Sequence, residues 1–140
     1  DAARPLLADQ WIDRLFSAAE KFRAVIPGLA ITSTVKRLTS DSTISETLDR
    51  SQLVLAQTPQ VFERQLLERA YATCRNPQNA TDEASLVEQS GHTVHVIDGW
   101  PMNIKITTAD DFRLAEMYLS SLPKSDGLTA LHPFQDENFW

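Results

Sequence analysis

Apolar positions along the chain switch between helical spacing and short β-branched runs, and the switches predict its elements. In "LLADQWIDRLFSAAEKFRA", Ile12, Leu15, Phe16 and Ala19 fall on one helical face, with Asp9 placed to cap it and Pro27-Gly28 to stop it. The runs "LAITSTVKRL" and "ISETLDR", separated by the turn-prone "TSDST", predict a two-stranded ribbon. Neither strand alternates well enough to cover a core of its own. An isolated ribbon is marginal in water, so this one is expected to lie against another chain or a ligand. "QLVLAQ" predicts a short buried strand ended by "TPQ". Thr58 as cap and Pro59 at the first helical position then predict a helix through about Arg75, with Val61, Phe62, Leu66 and Ala70 inward. Thr81 or Asp82 caps a short helix that Gly91 stops. "HTVHVID" and "NIKIT" predict strands around a Gly-Trp-Pro turn. Thr108 with Asp111 opens a last helix as a capping box, with Phe112, Ala115, Tyr118, Leu119 and Leu122 inward. The tail "PKSDGLTALHPFQDENFW" has no period and predicts a surface strap or partial disorder.

Helices alternating with short strands predict an α/β protein with a mainly parallel sheet. Such sheets place ligands at the carboxyl ends of their strands. "DAARP", "TPQ", "TDEAS" and the end of "NIKIT" all fall there. The 140 residues suit one domain, and the formal net charge of −6 disfavours a nucleic-acid partner or an anionic membrane surface. No apolar run approaches the roughly 20 residues of a membrane helix. The single cysteine, Cys74, cannot form an internal disulfide, which suits a reducing cytoplasm. Three scattered histidines and that cysteine do not make a zinc site.

Single residues carry little. Lys36 and Arg37 read as a solvated strand edge, Arg50 as a surface charge beside Asp49, and Thr58 and Thr81 as helix caps. Lys105 is harder to dismiss, because in a strand it must point opposite to Ile104 and Ile106. Arg4, Lys36, Arg37, Arg50 and Lys105 together, in an acidic chain, would suit a phosphate-bearing ligand. Asp1 would suit a divalent metal bound together with substrate phosphates.

The segments "DAARP", "TSTVKR", "TLDR", "AQTPQ", "TDEASLVE" and "NIKITTADDF-LAE" come in the order and spacing of 2-C-methyl-D-erythritol 4-phosphate cytidylyltransferases. The chain resembles that family from Asp1 to about Leu122. The resemblance implies transfer of a cytidylyl group from CTP to methylerythritol phosphate, with release of pyrophosphate and use of Mg²⁺, in non-mevalonate isoprenoid synthesis. It implies Lys105 and Arg4 as catalytic residues, and Asp1, Thr34, Arg50, Thr58 and Thr81 beside them in substrate binding, with Asp1 also holding the metal. It also implies that the ribbon, about residues 30–51, is a homodimerisation arm bringing Thr34 and Arg50 to the partner's substrate. Ser33 departs from the aspartate common in the family before that threonine, and Met102 stands where some members are acidic. The implied location is the cytoplasm, or the stroma of a plastid.

Members of the family begin with a strand and a glycine-rich loop that cradles the CTP phosphates. The four glycines here, Gly28, Gly91, Gly99 and Gly127, are too dispersed to form one. Residues 1–122 are therefore expected to be the C-terminal portion of a doubly wound, Rossmann-like nucleotidyltransferase domain. Its N-terminal half is expected to have been cleaved, omitted or carried on a separate chain, this piece alone is expected to be inactive, and residues 123–140 form a tail. Two alternatives remain at this point: ribitol-5-phosphate cytidylyltransferase, and a non-catalytic half-domain kept for dimerisation.

Overall fold

The computed structural model describes residues 2–123. Helix α1 (Asp9–Phe22) buries Trp11 and Leu15, one turn apart, while Phe16 on the next face is exposed. Asp9 does not cap the helix. It lies in the first turn after Ala8, where a carboxylate still favours the positive end of the helix dipole. The helix ends at Arg23, whose left-handed backbone (φ 67°) lets its N–H reach the Ala19 carbonyl. Pro27-Gly28 therefore does not stop it. Both residues lie inside strand β1 (Ala24–Ala30), the central strand of the sheet.

Strands β4 (Val54–Ala56) and β5 (Val61–Phe62) both pair antiparallel with β1, at its two ends, while β6 (His95–Asp98) pairs with it in parallel. The sheet is mixed, which corrects the mainly parallel expectation. The chain returns from β1 to β4 through a ribbon and not through a crossover helix, and that return allows antiparallel pairing. A proline is tolerated in this central strand for a local reason. Pro27 offers its carbonyl to the Gln57 N–H at 2.8 Å, so its absent N–H falls in the gap between β4 and β5. Gly28 is required by packing, since a Cβ there would sit 2.7 Å from the Val96 side chain.

Alternation along β1 builds two cores. Val25 joins Ala8, Trp11, Leu15 and Trp100 on one face, with the Trp11 and Trp100 rings stacked 5.1 Å apart. Ala24 joins Leu66, Ala70, Leu86 and Val87 on the other, beneath α2 (Arg64–Thr73) and α3 (Glu83–Gln89). Helix α2 starts five residues after Pro59, not at it. Val61 and Phe62 are taken up pairing with β1, and the Thr58–Pro59 peptide is cis. Thr58 is accordingly no helix cap. Asp82, and not Thr81, caps α3.

The ribbon forms as predicted, from β2 (Val35–Leu38) and β3 (Ile44–Leu48), and is a sheet of its own. Arg37 pairs across it with Glu46, and all its residues are exposed or half-exposed. "NIKIT" is not a strand. Among the described residues no neighbour completes a ladder there, although the Ile106 N–H reaches the Ala3 carbonyl at 2.7 Å. Val54 and Leu55, predicted buried, are exposed on β4. Helix α4 (Ala109–Leu119) has its capping box but buries only Ala115. Phe112, Met117 and Leu119 extend past the narrow seam by which the helix is attached. The predicted tail lies outside the described residues beyond Pro123.

The α4 capping box titrates. Backbone N–H groups and hydroxyls of Thr107 and Thr108 lower the Asp111 carboxyl from its ordinary 3.8 to about 2. Because the folded value is depressed, the stabilisation is present above about pH 4 and is lost as pH falls through about 2. A carboxyl NMR titration of Asp111 should show a midpoint near 2. Thr108→Ala should raise that midpoint and cost about 1 kcal/mol in urea denaturation; an unshifted midpoint in the variant would contradict the capping account.

Candidate functional site

At the end of β4 and before α3, the chain forms a cleft of about 200 Å³ lined by Arg4, Ala56, Gln57, Thr58, Gln60, Thr81, Asp82 and Lys105. Four of the predicted residues meet here: Arg4, Thr58, Thr81 and Lys105. The two cations come from segments about a hundred residues apart. Arg4 is brought in by Nη1, which donates to the Asn103 carbonyl at 2.5 Å, and by the Ala3–Ile106 hydrogen bond. Lys105 follows two residues after Asn103 and is exposed, with half-buried Ile104 and Ile106 on either side of it. The alternation inferred from the sequence therefore holds without a strand.

Among the described residues neither cation is ion-paired. Partial burial lowers the Arg4 guanidinium pKa, yet arginine keeps its charge at neutral pH. The carboxylate in the lining, Asp82, is already committed. Its Oδ1 accepts from the Ser85 N–H at 3.0 Å and its Oδ2 from Gln60 Nε2 at 2.8 Å. Gln60 in turn accepts from the Ala84 N–H, so the α3 end of the cleft is held by a closed set of bonds. The balance of free charge in the cleft is positive, which suits an anion rich in acceptor oxygens.

Two predicted residues are not in the cleft. Thr34 is exposed at the foot of the ribbon, and Arg50 lies in the 3₁₀ turn Arg50–Gln52 after the ribbon, its guanidinium donating to the Thr32 carbonyl. Asp1 lies outside the described residues. Among the described residues no group of three or more His, Cys, Asp or Glu side chains could hold a metal ion. No helix among them is long and apolar enough to cross a membrane. A larger groove, about 580 Å³, runs between the C-terminal ends of α2 and α3 past Cys74 and Arg75, and contains none of the predicted residues.

The family model for "IspD: 2-C-methyl-D-erythritol 4-phosphate cytidylyltransferase" matches residues 1–121. The chain belongs to this family. It is 43% identical over 120 residues to the 2-C-methyl-D-erythritol 4-phosphate cytidylyltransferase of Syntrophus aciditrophicus, covering 85% of this chain and 51% of that protein. Its identity to the enzyme of that name from Acidobacterium capsulatum is 44% over 123 residues, covering 85% and 52%. Among solved structures, that of the Thermus thermophilus enzyme matches with a TM-score of 0.76 at 31% identity, over 86% of this chain and 59% of that one. The Francisella tularensis IspD structure matches with 0.75 at 35%, over 84% and 56%. The chain thus spans about half the length of the curated IspD relatives it matches.

Sequence reasoning missed Gln57, Gln60 and Asn103. The signal is present in "AQTPQ" and "MNIKI", where amides stand beside the threonine and near the lysine, but an amide's role depends on partners distant in sequence. The closed set around Asp82 gives a test. Asp82→Ala should lose the cap and cost about 1 kcal/mol in urea denaturation, while Asp82→Asn should cost less, because asparagine caps as well as aspartate. Equal losses would show that the cap is not what Asp82 contributes.

Proposed function

We propose that this chain furnishes the acceptor side of a cytidylyltransferase site. The names of the family and its relatives give a cytidylyl group and 2-C-methyl-D-erythritol 4-phosphate as its acceptor; on this reading the donor is CTP and pyrophosphate is released. The observation that carries the reading is the convergence of Arg4 and Lys105, neither ion-paired among the described residues, with Thr58 and Thr81 in one cleft. In this reaction an oxygen of the acceptor phosphate attacks the α-phosphorus of CTP, in line with departing pyrophosphate. Two anions must approach, and negative charge spreads over oxygens in the transition state. A protein contributes by position and fixed positive charge far more than by covalent chemistry. Arg4 and Lys105 offset that charge, and the two threonine hydroxyls can donate to phosphate or substrate oxygens.

The glycine-rich loop that would hold CTP has no counterpart in this sequence, so the nucleotide side is supplied by residues beyond this chain. The ribbon has the character of an arm, exposed along its length and separate from the main sheet. On this reading it pairs two subunits and brings Thr34 and Arg50 to the partner's substrate. The cytoplasm suits a chain with one unpaired cysteine. The described residues do not complete a site for Mg²⁺: Asp82 is their one carboxylate in the cleft, no group of three or more His, Cys, Asp or Glu side chains gathers among them, and Asp1 lies outside them.

The relatives' names favour methylerythritol phosphate over ribitol phosphate as acceptor. A half-domain kept only for dimerisation would have no use for two cations held in one cleft. In the full-length protein, pyrophosphate release from CTP should depend on methylerythritol phosphate and fall roughly 100-fold or more in Lys105→Ala. Because Lys105 is exposed, the melting temperature of that variant should barely move. Undiminished turnover in Lys105→Ala, or preference for ribitol phosphate, would overturn this reading.

A further inference from the structure

We propose that Gln57 is a positioning residue that acts through Arg4, holding the guanidinium ready for phosphate without touching the ligand itself. Gln57 lines the cleft, yet its amide is turned inward and is almost fully buried, at 3% exposure. Every polar atom of that amide is already used. Nε2 donates to the Trp100 carbonyl at 2.9 Å and to the Asn103 carbonyl at 3.1 Å, and Oε1 accepts from the Trp100 N–H at 3.0 Å. No donor is left for a ligand.

The Asn103 carbonyl that takes one of these bonds is the same atom that takes Arg4 Nη1. Gln57 therefore fixes the acceptor on which the guanidinium hangs. Asn103, itself fully buried, completes the frame by donating Nδ2 to the Thr58 carbonyl at 2.7 Å. Arg4 Nε is buried with no partner among the described residues, although an unmade bond at a charged donor is expensive. An arginine anchored through Nη1 while its side chain lines the cleft is arranged to receive an oxyanion on the remainder of its guanidinium. Geometry at Gly99 shows how tightly the frame is drawn: a Cβ there would lie 2.5 Å from Gln57 Oε1.

The test is a double-mutant cycle in the full-length protein, with inorganic phosphate, the charged group of the acceptor, as the probe in calorimetry. Gln57→Met removes the donors and the acceptor without adding charge to the cleft. It should weaken phosphate binding about 10-fold in the wild-type background and less than about 2-fold in Arg4→Ala, because its effect passes through Arg4. Leu66→Ala, a core lesion beneath α2, should lower the melting temperature and leave that binding unchanged. If Gln57→Met fails to fold, Gly99→Ala strains the same frame from the opposite side and should give the same coupling to Arg4. Equal losses in both backgrounds, unaltered binding in Gln57→Met, or no phosphate binding to the wild type would each overturn the proposal. The inference rests on the cytidylyltransferase reading for its biological meaning, but the two fail separately. A wild type that binds phosphate with this coupling and transfers no cytidylyl group would sink that reading and leave the role of Gln57 standing.

Discussion

The hydrogen bonds between the Gln57 amide and the backbone at Trp100 and Asn103 join parts of the chain that sheet pairing alone leaves apart. Strand β1 pairs with β4 on one side and β6 on the other, and the loops leaving β4 and β6 must still be closed over the end of the sheet. The closure is polar and almost fully buried. In such a place, fully made hydrogen bonds hold a geometry firmly, while unmade ones are costly. Gly28 and Gly99 let the backbones approach closely enough for it, since each is a position where a Cβ would collide with a neighbour.

What the frame presents is charge. Arg4 hangs from the Asn103 carbonyl, Lys105 stands two residues beyond, and Thr58 is tied to Asn103 through its own carbonyl. The stacked tryptophans lie beneath: Trp100, whose backbone Gln57 grips, inserts its ring against Trp11 of α1. The core under one face of β1 and the cleft at its end thus share a residue. Damage to that core should be felt in the cleft more than damage to the core under α2 and α3.

Much of this was legible in the sequence, because residue type at a fixed spacing carries local physics. The α4 capping box, the Asp82 cap, the ribbon and the alternation about Lys105 all follow from a few neighbouring residues. The misreadings have a common origin in non-local pairing. Pro27-Gly28 looks like a helix stop, but Arg23 ends α1 by adopting a left-handed backbone that no glycine signals. Pro59 looks like a helix start, but Val61 and Phe62 are claimed by β1. The same holds for the site: Arg4, Thr58, Thr81 and Lys105 were legible as polar residues at element ends, whereas Gln57 and Asn103 matter only through each other, forty-six positions apart. The apolar residues left exposed on β4 and α4 cannot be explained by periodicity, since nothing among the described residues covers them.

The central claim is that Arg4, Thr58, Thr81 and Lys105 form the acceptor-phosphate side of the site. A crystal structure of the full-length protein with methylerythritol phosphate tests it directly. The account predicts the phosphate in the cleft at the end of β4, within hydrogen-bonding reach of Arg4 and Lys105. A phosphate bound elsewhere, for example in the larger groove beside Cys74 and Arg75, would contradict it.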